Sequence, residues 1–86
     1  MNARQIIGWN LRKLRVAKGF SQERLALESN VDRSYVGRVE RGTENVTIST
    51  LEALADALHV TVSELFVVPD ENASPPQPMK AGRKYK

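Results

Sequence analysis

The chain has 86 residues, no cysteine, and 13 Lys and Arg against 10 Asp and Glu, for a net charge of +3. That length allows one small domain, which buries roughly 60% of the surface of its unfolded chain; the absence of cysteine excludes a disulfide framework, a cysteine nucleophile and the usual structural zinc sites. No apolar run is long enough for a membrane span or a signal-peptide core, so a cytoplasmic protein is expected.

Ile6, Ile7, Leu11 and Leu14 recur at helical spacing with Arg12, Lys13 and Arg15 between them, which predicts an amphipathic helix from about Ala3 to Lys18, ended by Gly19. Ser21 is a good N-cap for a short second helix to about Glu28, with Glu23 in its first turn and Leu25 and Ala26 facing inward. Ser29-Asn30 breaks the pattern, and Asn tolerates the left-handed backbone of a tight turn. Asp32 is a candidate N-cap for a third helix over about Arg33 to Arg41, with Val36 and Val39 inward and Gly42 just past its end.

The loop from Thr43 to Val46 leads to Thr47 or Ser49 as the next cap, Ser49 having Glu52 at capping-box spacing. Leu51, Leu54, Ala55 and Leu58 form the apolar stripe of helix four. Thr61 and Glu64 form another capping box, opening a short fifth helix that carries Leu65 and Phe66. Beyond Val68, four prolines among polar residues cannot build a core, so 69–86 is expected to be a disordered tail with a basic end, following a domain at 1–68. No strand pattern is present, and the fold class is all-α.

Charge is segregated along the chain. Met1 to Gly42 holds nine basic and four acidic residues, a balance of +5, whereas Thr43 to Glu71 holds six acidic residues and no Lys or Arg, a balance of −6. The first half is therefore suited to a polyanion. Two short helices joined by a turn of about four residues, the second rich in Arg on its outer face, are what reading a DNA major groove requires.

The run Ser21-Gln22-Glu23-x-Leu25-Ala26, then Val31, Tyr35-Val36-x-x-Val39-Glu40-Arg41-Gly42 and Leu51-x-x-Leu54-Ala55-x-Ala57-Leu58, closely resembles the DNA-binding domain of the lambdoid phage repressor and Cro family, also called Xre-type regulators. The resemblance covers about Ile7 to Phe66 and implies a five-helix lambda-repressor-like domain that binds double-stranded DNA. Three departures stand out: Asn30 and His59 where the family commonly has Gly, and a loop after Gly42 that lacks proline.

Roles follow residue by residue. The resemblance makes positions one, two and six of the third helix, here Arg33, Ser34 and Arg38, the contacts to base edges. An Arg can bond guanine O6 and N7 bidentately, so a G·C pair is expected in each half-site. Gln22, at the start of helix two, is the expected phosphate clamp. Tyr35 is placed either on a phosphate or packed under its helix, and Arg41 either on the DNA backbone or at the helix C-terminus. Glu40 makes poor sense against DNA; the family pairs a matching Glu with an Arg on helix one, which implies a structural pair with Arg15.

Phe66, Val67 and Val68, joined by Val62, form the expected homodimer interface, the region through which the family commonly dimerises. With His59 the single histidine, no nucleophile beside a base and no glycine-rich phosphate loop, the chain carries no enzyme pattern, cofactor site or metal site. The expected function is a sequence-specific regulator on a pseudo-palindromic operator, either a restriction-modification controller or a prophage-type repressor. The alternative is an antitoxin or other partner-binding regulator in which the acidic half holds a second protein; RNA polymerase or another protein partner stays open.

Overall fold

Asn2 opens the first helix by accepting a hydrogen bond from the Gln5 amide at 2.9 Å while the Gln5 side chain accepts from the Asn2 amide at 2.9 Å, a capping box that satisfies two amides lacking helical partners. The computed structural model describes residues 1–70 and 72. Its elements are α1 (Ala3–Lys18), α2 (Gln22–Ser29), α3 (Arg33–Glu40), α4 (Ile48–Leu58) and a short 3-10 helix (Val62–Phe66), with no strand among the described residues. The tail expected over 69–86 lies, apart from residues 69, 70 and 72, outside the described residues.

Four α-helices, not five, build the domain. Between the Thr61 cap and Pro69 only a few residues can be helical, because the residue before a proline is pushed out of the helical region. The chain there forms the tighter 3-10 turn, shown by the Glu64 amide donating to the Thr61 carbonyl at 3.1 Å, and Val67 is already extended.

Of the two caps expected for α4, Thr47 is the one used, accepting from the Thr50 amide at 3.2 Å. One cap differs from expectation. Asp32 has the backbone of an N-cap (φ −71°, ψ 145°), but its side chain accepts no helix amide. Ser21 does cap α2, accepting from the Arg24 amide at 2.9 Å.

All four α-helices end in the same way. The residue past the helix, or in α3 the one after it, donates to a carbonyl three residues back and the next residue to one five back, as in Gly19 to Val16 with Phe20 to Arg15, and Gly42 to Val39 with Thr43 to Arg38. This closure requires a left-handed residue. Gly42 supplies one at φ 75°, while Asn30 (φ 60°) and His59 (φ 57°) adopt the conformation despite carrying a Cβ.

Leu11, Leu25, Val36, Val39, Leu51, Leu54, Leu58 and Leu65 are almost wholly buried and form one core with Ile7, Ala26 and Ala55. Each such aliphatic side chain contributes about 1.5–3 kcal/mol by leaving water, and every element supplies at least one. Helix α1 crosses α3 closely at Gly8, where a Cβ would lie 2.8 Å from the Glu40 carbonyl oxygen and closer still to that of Val39.

Candidate DNA interface

The α2–α3 turn owes its shape to Asn30 and to the Val31 amide, which donates to the Ala26 carbonyl at 3.0 Å. Val31 packs against the core, so the turn is anchored from below. Because Val36 and Val39 face inward, the opposite side of α3 carries Arg33, Ser34 and Arg38, all exposed. Arg33 and Ser34 make no side-chain hydrogen bond among the described residues. Gly37 is buried on the flank of α3, where a Cβ would lie 3.2 Å from the Arg41 guanidinium and 3.9 Å from Gln22 Oε1.

Glu40 is the centre of the frame behind this surface. Its side chain is 0% exposed and that of Arg15 is 4% exposed, with Arg15 Nε 2.6 Å from Glu40 Oε2 and Arg15 Nη2 3.0 Å from Oε1. Two further donors converge on Oε1: Arg12 Nε at 3.2 Å and Gln22 Nε2 at 3.0 Å. Arg15 Nη1 also donates to the Phe20 carbonyl at 2.8 Å, which ties α1 to the segment entering α2. Burial pushes the Glu40 carboxyl pKa up, but the hydrogen bonds from Arg15, Gln22 and Arg12 and the Arg15 charge outweigh it and hold the group below its ordinary 4.5.

This network qualifies the expected role of Gln22. Its half-buried amide is committed to Glu40, so a phosphate at this corner would meet the second N–H of Nε2 and the first backbone amides of α2, which have no partner within the helix. Tyr35 is half-buried against the core, with the Arg38 guanidinium 5.7 Å from its ring centroid. Arg41 is exposed and lines a shallow groove with Gln5, Trp9 and Arg12.

Three residues escaped the sequence reading. Arg12 joins the Glu40 network from the turn of α1 preceding Arg15. Glu44 accepts from Arg38 Nε at 2.8 Å and so occupies one edge of an expected base reader. Asn10 is buried in α1 and donates through Nδ2 to the carbonyls of Leu65 at 3.0 Å and Val67 at 2.8 Å. Its signal was available: a polar residue between Ile7 and Leu11 at a core-facing position needs a buried partner.

The helix-turn-helix family model HTH_3 matches residues 11–65, the stretch that holds α2, α3, α4 and most of the core. The chain belongs to the helix-turn-helix family. Among its relatives, control protein C.SmaI of Serratia marcescens is 45% identical over 66 residues, covering 77% of this chain and 79% of that protein. A hypothetical transcription factor of Neisseria meningitidis is 43% identical over 68 residues; the match covers 79% of this chain but only 64% of that protein. The crystal structure of the restriction-modification controller protein C.AhdI from Aeromonas hydrophila superimposes with a TM-score of 0.72 at 52% identity, covering 73% of this chain and 96% of that one. In helix-turn-helix terms, α3 is the recognition helix and α2 its supporting helix. The family is one of DNA-binding regulators. Among the described residues no helix is long and apolar enough to cross a membrane, and no cluster of metal-ligating side chains occurs.

Proposed function

We propose that this protein is a transcriptional regulator that binds a pseudo-palindromic operator in double-stranded DNA as a homodimer, inserting α3 of each copy into successive major grooves. The observation that carries the proposal is the outer face of α3: Arg33, Ser34 and Arg38 stand exposed on a helix braced from behind by the buried Arg15–Glu40 pair. Base readers need a firmly placed helix to discriminate, and this frame braces α3. Gln22, Tyr35 and Arg41 border the same face and are the proposed contacts to the DNA backbone.

Dimerisation is assigned to the end of the domain formed by Val62 and the Phe66-Val67-Val68 segment. Phe66, Val67 and Val68 are three consecutive exposed apolar residues, a concentration of the kind that marks an interface, while Val62 is half-buried against the core. To enter successive major grooves, the recognition helices of two copies joined there must lie about 34–36 Å apart, one turn of DNA. The likeness to C.SmaI and C.AhdI supports a controller of restriction-modification genes over a prophage-type repressor.

Selection from a randomised duplex pool, with sedimentation of the free protein, tests this. The expected product is an inverted repeat bound by two chains, with a G·C pair in each half-site. Arg38→Ala should lose about 1–3 kcal/mol on that site and relax its sequence preference. A pool that enriches for nothing, or a tight complex with a different protein in place of the homodimer, refutes the proposal.

A further inference from the structure

A carboxylate beside a DNA-reading helix repels phosphates, so its presence needs a reason. Glu44 is such a group. It follows α3 by four residues, and the chain between them is closed rigidly: the Gly42 amide donates to the Val39 carbonyl at 3.0 Å, the Thr43 amide to the Arg38 carbonyl at 3.0 Å, and the Thr43 hydroxyl to the same carbonyl at 3.2 Å. The carbonyl that receives both Thr43 bonds belongs to Arg38, the residue whose side chain Glu44 then holds. Backbone and side chain of Arg38 are thus fixed by the same short loop.

The geometry of the contact matters. Glu44 takes the Nε–H of Arg38 at 2.8 Å, with side-chain exposures of 24% for Glu44 and 44% for Arg38, and the Tyr35 ring flanks the guanidinium at 5.7 Å. The Nε edge is therefore occupied, while Nη1 and Nη2 make no hydrogen bond among the described residues. Guanine O6 and N7 are met by a pair of parallel guanidinium N–H groups, and the terminal Nη pair is one edge that fits them. Arg33 has no comparable support.

We propose that Glu44 is a positioning residue that aims the Nη edge of Arg38 at a guanine, making Arg38 the stringent base reader and Arg33 the tolerant one. The inference rests on the proposed entry of α3 into the major groove. An arginine already held in its bound orientation loses less side-chain freedom on binding, so the correct base gains more and a wrong base, unable to take both N–H groups, gains nothing. Charge acts in the opposite direction, since removing a carboxylate from this surface favours every DNA alike.

The two effects separate in one experiment. The full chain and its variants Glu44→Ala, Glu44→Gln, Arg38→Ala and the double Ala variant are each selected against a randomised double-stranded DNA pool at fixed salt, with thermal melting measured alongside. Glu44→Ala should lower the preference for guanine at one position of each half-site about tenfold, as expected for loss of one aligned bidentate contact. It should leave other positions, and the melting temperature, near wild type, and bind duplexes lacking that guanine as well as wild type does or better. Glu44→Gln, which keeps an acceptor oxygen, should fall between the two. In the Arg38→Ala background, Glu44→Ala should leave the remaining preference unchanged. Unchanged preference in Glu44→Ala when Arg38→Ala loses it, whether or not the preferred site is bound more tightly, or an equal loss at all positions with lowered melting, overturns the positioning role while leaving the groove reading intact. If Arg38→Ala alters no position, the groove reading itself falls.

Discussion

Replacing Glu40 with Ala should be among the most damaging single changes in the domain, although its side chain is enclosed behind the proposed DNA-reading face. The wild-type carboxylate is fully enclosed and receives Arg15 through two nitrogens, Arg12 through one and Gln22 through one. The substitution strands the Arg15 guanidinium, 4% exposed, with only the Phe20 carbonyl as partner. Removing one member of a buried pair costs about 3–5 kcal/mol, against a total of about 5–10 kcal/mol for a domain of this size. At roughly 4–8 °C per kcal/mol, melting should fall by at least about 12 °C. Glu28→Ala is the control: its pair with Arg24 at 2.9 Å is exposed on both sides and should be worth about 0.3–0.5 kcal/mol. The acid side adds a second signature. Glu40 titrates below 4.5 in the fold, so the unfolded chain takes up the proton first as pH falls. The stabilisation is therefore complete above about 4.5 and lost as pH drops through the folded value, and Glu40→Ala should lack this loss. Urea denaturation of both chains at fixed protein concentration, at neutral pH and below pH 4.5, measures all of this. A cost below about 1 kcal/mol at neutral pH would refute the view that the pair braces α3, because the buried Arg15 would then have found another way to be satisfied.

Two further substitutions probe the packing that presents the two proposed surfaces. Gly8→Ala should destabilise by about 1–3 kcal/mol, as overpacking does, because its methyl group meets backbone carbonyls of Val39 and Glu40 that cannot turn aside; a melting curve matching wild type would show that α1 and α3 can separate freely. Asn10→Leu leaves the carbonyls of Leu65 and Val67 without their amide donor, at a cost of about 1–3 kcal/mol. It should also weaken dimerisation about tenfold or more by releasing the Phe66–Val68 segment, equivalent to at least about 1.4 kcal/mol. Sedimentation equilibrium checks this, and unchanged self-association would detach Asn10 from the interface.

What the sequence made legible was mostly what depends on neighbours along the chain. The α1 span, the Ser21 cap, the Asn30 turn and the stop at Gly42 rest on helical periodicity or on one residue's backbone preference, and the structure has each of them. The fifth helix failed for a physical reason: Thr61 and Glu64 do signal a helix start, but a start signal is blind to length, and Pro69 leaves room only for a 3-10 turn. The sequence left Thr47 and Ser49 both open as caps because both have the composition of one, and the structure uses Thr47. Asp32 shows the same limit, since its backbone takes the cap geometry while its carboxylate stays unbonded to the helix.

The interface was less legible than the fold because its side chains answer to partners distant in sequence. Periodicity put Arg33, Ser34 and Arg38 on the outer face of α3, but it could not tell that Arg38 is held by Glu44 while Arg33 is unsupported. Gln22 and Glu40 were given separate roles, clamp and brace; the structure joins them at 3.0 Å through Glu40 Oε1. That bond has a consequence neither role implies alone. The Glu40 carboxylate links α1 through Arg12 and Arg15, α2 through Gln22, and α3 through its own backbone, so the corner of α2 proposed to meet a phosphate and the helix proposed to read bases share one charged centre. A displacement of α2 by DNA would have to break or drag that centre, and with it α3. The proposed backbone clamp and the proposed base readers are for that reason one mechanical unit, whose stiffness comes from a buried carboxylate.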